Sequence, residues 1–227
     1  MTVDRRRAQV EALGRRDQFW PAQVTVLAAI ALSLGLPSKL SVPGKVWLIP
    51  AIEGLLLAGL VATTPWRGER RPMRRRVALG LVGVVTASNL VNLILLVHHV
   101  LHPSLSPGGS FGRELILGGT EIWVTNVLLF TVWYWELDRG GPIARQKIEC
   151  PPPDFLFPQM TEEQLGGMNW RAGYLDYLYT SFTNATAFSP TDTMPLTPTA
   201  KLLMAAQSLA SLVTIGMVFA RAVNILA

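Results

Sequence analysis

Five stretches of this chain are too apolar and too long for ordinary surface helices: residues 20–36, 46–63, 77–100, 115–137 and 199–226. A bilayer core takes about 20 apolar residues, within a range of about 17–25. By that measure the first two stretches are short and the third and fifth comfortable. Half of the 227 residues are apolar and 15% are charged, against about a quarter charged in a soluble domain. Too little polar sequence remains to cover a soluble bundle. The pattern predicts an all-α integral membrane protein, a single domain over residues 1–227 with about five transmembrane helices. Arg5, Arg6, Arg7, Arg15 and Arg16 precede the first stretch as they would a signal peptide. The apolar run exceeds a typical signal core, however, and no small-x-small cleavage site follows it, so it is expected to be retained.

Loops rich in Lys and Arg stay on the cytoplasmic side. The basic N-terminal tail, the second connection (Arg67, Arg70, Arg71, Arg74, Arg75, Arg76) and the 138–201 stretch (Arg139, Arg145, Lys147, Arg171, Lys201) share one side. Only Lys39, Lys45 and Arg113 fall on the other. The N-terminus is therefore expected inside and, with five spans, the C-terminus outside. On this reading the net charge of +5 reflects topology and contact with anionic headgroups. A nucleic-acid partner is not expected, because no soluble basic surface with stacking aromatics is evident. Cys150 is the only cysteine, which excludes an internal disulfide and a cysteine metal cage.

Residues 170–198 break the apolar pattern. Trp170, Tyr174, Tyr177, Leu178 and Phe182 recur at helical spacing among Asp176, Thr183, Asn184 and Thr186, which predicts a short amphipathic helix too polar to span. The following FSPTDTMPLTP carries Pro190, Pro195 and Pro198, which forbid continuous helix. Short helix, irregular segment and spanning helix together predict a re-entrant or interfacial helix-turn over about 170–198. Irregular backbone at membrane depth is tolerated only where protein buries it or water fills a cavity.

The order of these residues resembles the pore helix, filter and inner helix of potassium-type channels. The likeness rests on Ala185-Thr186 entering the loop, Asp192 after it, then Pro195, Thr197 and Lys201. It implies a cation path completed by symmetry, with a tetramer as the natural assembly. Where the potassium filter uses glycines to aim its carbonyls, this chain has Phe188-Ser189-Pro190-Thr191, so potassium selection by that filter is not expected. The channel loop also enters from outside, whereas the charge count places residues 140–198 inside. Over most of its length the chain resembles an uncharacterised bacterial family of small polytopic membrane proteins. The shared parts are the arginine-rich connection Arg70 to Arg76, Trp133-Tyr134-Trp135 ending the fourth span, and the Tyr174 to Asp192 module. The resemblance implies a multi-pass protein of the bacterial inner (plasma) membrane.

Carboxylates within a span cost about 2.5–3.5 kcal/mol on insertion scales. Glu53 and Glu121 would each lie roughly 10 Å below the outer surface at 1.5 Å per residue. Asn89, Asn92 and His98 rise past them on the third stretch. Such a cluster reads either as a cation or proton site or as hydrogen bonds between helices. His98, His99 and His102 lie too near the interface for a metal site. In the last stretch, Gln207, Ser208, Ser211 and Thr214 form a polar stripe suited to a pore lining or to a packing face. No glycine-flanked serine, HExxH, phosphate loop or cofactor fingerprint occurs; neither an enzyme nor a cofactor is expected.

The expected function is a channel-like or transport protein. Thr186, Ser189, Thr191 and Asp192, with Ser208 and Ser211, are the candidate pore or ion-binding residues. Its partners would be the bilayer, further copies of the chain and a small cation. The competing expectation is a non-transporting scaffold or subunit whose hydroxyl-rich loop is a packed cap.

Overall fold

The computed structural model describes residues 19–35, 54, 58, 72–102, 109–145, 147, 149–161, 170–186 and 192–226. Among the described residues it is mostly helical, with one two-residue strand pair. The long helices are α1 (Trp20–Gly35), α2 (Pro72–Leu101) and α3 (Gly109–Leu137). After a one-turn α4 (Pro142–Arg145) come α5 (Tyr174–Thr186) and α6 (Pro198–Leu226). Strands β1 (Phe155–Leu156) and β2 (Met194–Pro195) pair antiparallel, with Phe155 opposite Pro195. Among the described residues, three helical segments are long and apolar enough to cross a membrane: Arg75–Leu101, Gly112–Gly140 and Pro198–Val223. The first apolar stretch forms the shorter α1. The predicted 46–63 span lies outside the described residues, apart from the helical positions Gly54 and Ala58.

Local sequence explains the helix ends. Thr197 caps α6: its hydroxyl accepts from the Ala200 N–H at 3.3 Å, and Pro198 takes the first helical position, where its missing N–H costs nothing. Asp176, three residues into α5, accepts from the Gly173 N–H at 2.7 Å, which is half of a capping box. At the C-terminal end of α3 the chain turns through three left-handed residues, Arg139 (φ 53), Gly140 (φ 75) and Gly141 (φ 95). The two glycines adopt this freely, whereas Arg139 does so against its Cβ. Its N–H donates to Asp154 Oδ2 at 3.0 Å, which helps hold it there.

α3 is the axis on which α1, α2, α5 and α6 all pack. The larger core surrounds its C-terminal half, where Trp135 and Tyr134 are fully buried. Trp135 meets Phe19 edge-on at 5.9 Å and Tyr174 at 5.8 Å, aromatic geometry that adds about 0.5–1.5 kcal/mol per pair beyond burial. A smaller cluster of Leu93, Leu96, Leu115 and Ile122 fills the other half.

The distribution of polarity is inverted relative to a water-soluble bundle. α5 buries Thr180 and Ser181 and exposes Leu175 (73%), Tyr179 and Phe182. α6 likewise buries Gln207, Ser211 and Thr214 while exposing Leu202 (72%), Leu209, Leu212 and Phe219. Single exposed apolar residues are ordinary, but apolar faces running the length of a helix are not.

Candidate functional site

Two groups of buried polar side chains meet on the C-terminal half of α3. The first begins at Asp138. Its Oδ1 accepts from the backbone N–H of Asp154 at 2.8 Å, and its Oδ2 accepts from the Tyr177 hydroxyl at 2.6 Å. Arg145 donates to the Trp135 and Asp138 carbonyls at 2.7 and 3.0 Å, with its guanidinium 5.2 Å from the Tyr177 ring centroid. Asp154 Oδ1 in turn accepts from Thr197 at 2.8 Å. One end of the bundle thus ties together α3, α4, β1, the start of α5 and the N-cap of α6.

The second group lies further along α3. Gln207 Oε1 accepts from the Tyr134 hydroxyl at 2.5 Å and from Asn184 at 2.8 Å. Gln207 Nε2 donates to the Ser181 hydroxyl at 2.7 Å and its carbonyl at 2.9 Å. Asn126 donates to Ser211 at 2.8 Å, Ser208 donates to Asn184 Oδ1 at 3.1 Å, and Ser181 donates to the Val127 carbonyl at 2.7 Å. Buried polar atoms are costly unless paired, and each of these has a partner across a helix boundary.

These bonds trace the course of the chain around α5. The helix starts beside Asp138, through Tyr177, and runs along α3 until the Ala185 carbonyl accepts from the Trp123 indole at 3.3 Å. By Thr193 the chain is back: the Thr180 and Thr193 hydroxyls lie 3.2 Å apart. The Leu196 N–H then donates to the Asp154 carbonyl at 2.8 Å. The start of α5 and residues 194–196 therefore both lie at the end of α3 that carries Asp138, while the last turn of α5 reaches Trp123.

The sequence-derived candidates divide accordingly. Thr186 donates to the Thr183 carbonyl within its own helix. Asp192 is exposed and lines a cavity beside Thr193 and the outer face of α5. Ser189 and Thr191 lie outside the described residues. Ser208 and Ser211 are engaged with Asn184 and Asn126 in the packed interface of α6. Asn89 donates to the Ile122 carbonyl at 3.3 Å, linking α2 to α3, and Asn92 is buried. Glu121 Oε1 is buried without a hydrogen-bond partner. The His98 ring is exposed and lies 4.5 Å from that of His102. No hydrogen bond or ion pair among the described residues joins His98 to Glu121, and Glu53 lies outside them. No group of three metal-ligating side chains occurs among the described residues.

Sequence reasoning missed Asp138, Asp154 and Arg145 as a cluster, and Asn126 and Tyr134 as partners of α6. Tyr134 stood only as one of three interfacial aromatics, and Asp138 as the end of an apolar run. Position along the chain carried no signal that Asp138 would meet Tyr177.

Burial raises the Asp176 carboxyl above its ordinary value of 3.8, and the Gly173 N–H opposes the rise. No family model, no curated protein and no solved structure matches this chain.

Proposed function

We propose that the chain is a multi-pass membrane protein of channel-like or transport type, in which α5 and its return limb form a re-entrant hairpin beside a path for small cations. Bacterial inner membrane and a cytoplasmic N-terminus follow from the resemblance and the arginine distribution; the hairpin then enters from the cytoplasmic side. The observation that carries the reading is the course of the chain from Tyr177 to Ala185 and back to Met194. A helix that reaches the middle of its neighbour, with the chain after it paired at the neighbour's end, brings backbone and hydroxyls to a depth where a continuous helix would offer neither. The inverted polarity of α6 supports residence in lipid. Asp192, exposed on the return limb, supplies the charge that would favour cations. Several copies must combine, since one hairpin cannot surround a path; a tetramer is the assembly the channel likeness implies.

A second reading has its own support. The hydroxyls and amides of α5 and α6 satisfy one another through Gln207, Asn184 and Ser181, as a packed cap in a scaffold or subunit would. In either case Ser208 and Ser211 serve packing, so any path runs along the return limb rather than α6.

Reconstitution into liposomes separates the two. The transport reading expects cation flux from the wild-type protein and a drop of about tenfold for Asp192→Asn, the lower end of what a focusing charge contributes. Silence toward several cations, together with a monomer in mild detergent, favours the cap.

A further inference from the structure

A cavity of about 570 Å³ opens between α5, the return limb and the turn after β1, within the roughly 300–1,000 Å³ range of small-molecule sites. Its walls are apolar and partly aromatic: Phe157, Leu175, Tyr179 and Phe182. Its charged groups are of one sign. Asp176 and Asp192 line it, and no lysine, arginine or histidine is among the described lining residues. The cavity therefore sets negative charge in a largely apolar frame, where a counter-cation is attracted more strongly than in open water. We infer that this cavity binds a small organic amine in its ammonium form, the charged end on Asp192 and the apolar body against Tyr179 and Phe182.

The chemistry of the walls selects this occupant over others. An anion would meet two carboxylates. A bare metal ion would have to shed water against Phe157 and Leu175, and Asp176 already spends one oxygen on the Gly173 N–H. A neutral apolar molecule would cover the walls and leave Asp192 without a counter-charge. An ammonium on an apolar body suits the walls and the charge together, and the rings of Tyr179 and Phe182 add cation–π attraction. The site stands independently of the transport reading, because binding requires only the walls of one chain.

The test is equilibrium dialysis of the purified full-length protein in a neutral maltoside detergent, with empty micelles subtracted. The probes are 2-phenylethylammonium and its uncharged counterpart 2-phenylethanol. The expected result is saturable binding of the amine and about tenfold weaker binding of the alcohol, the ratio a charge-assisted hydrogen bond provides. Asp192→Asn, an exposed position whose substitution leaves the core intact, should bring the amine down to the alcohol's affinity. Tyr179→Ala should weaken both. Absence of saturable amine binding, equal affinity for the alcohol, or an unchanged amine affinity in Asp192→Asn would each overturn the assignment. Flux measurements on the same preparation are a separate readout, so a silent protein that binds the amine would sink transport and leave this site standing.

Discussion

Gln207 is fully buried in the middle of an apolar helix, and its neighbours decide what its loss would cost. Its four hydrogen bonds are not equally exposed to loss. In Gln207→Leu, Asn184 keeps the Met204 carbonyl at 3.0 Å and Ser181 keeps the Val127 carbonyl at 2.7 Å. Only the Tyr134 hydroxyl proton is stranded, so the expected destabilisation is about 2 kcal/mol, well short of four summed bonds. Adding Tyr134→Phe should recover roughly half of it, read as a coupling in unfolding from mixed micelles. Asp176 makes a different prediction. Because burial raises its carboxyl, the folded protein holds that proton more tightly than the unfolded chain. Its stability contribution is complete below 3.8 and declines as pH rises through the higher folded value. Asp176→Asn retains an oxygen for the Gly173 N–H and cannot ionise. Its melting temperature should therefore fall less than that of the wild type between acid and neutral pH; an identical slope would contradict this.

Among the elements, the approach of α3 to α6 is set by glycine. A Cβ at Gly119 would overlap the Val218 side chain and touch Leu96 at 3.5 Å. Small residues at such crossings are how helices come close when no hydrophobic force separates lipid from protein. Val218 could turn aside only by leaving the rotamer a β-branched residue strongly prefers in a helix. Gly119→Ala should therefore cost about 1–2 kcal/mol by overpacking, and Val218→Ala in the same chain should restore most of it. Without that rescue, the close contact does not govern the crossing. α5 shows the complementary case, in which the polar stripe rather than the apolar one is buried. Its periodicity was legible from Tyr174, Tyr177 and Phe182, but periodicity locates a stripe without naming what covers it. Tyr177 turned inward to Asp138, whereas Phe182 lies 6.0 Å from Trp123 with nearly half its surface exposed.

For the whole molecule, the orientation in the bilayer is open to a direct measurement. Met194, 62% exposed on the return limb, can be replaced by cysteine in a Cys150→Ser background. The arginine distribution expects a membrane-impermeant maleimide to label it only from the side that holds the N-terminus. Labelling solely from the opposite face would reverse the topology and align the hairpin with the channel likeness. Much of the architecture was readable in advance. The apolar stretches at 77–100, 115–137 and 199–226 became α2, α3 and α6, with C-terminal ends within a residue and with α2 and α3 each beginning more than a turn earlier. Thr197-Pro198 began α6 where a hydroxyl followed by proline should. Those features depend on hydropathy and capping, which accumulate over neighbouring residues and so can be read along the chain. What joins Asn126 to Ser211, 85 positions apart, or Asp138 to Tyr177, 39 apart, depends on how helices rotate about their axes when they pack. Each is one hydrogen bond whose geometry exists only after the helices have met, so the tertiary structure alone decided that the polar stripe of α6 would face inward.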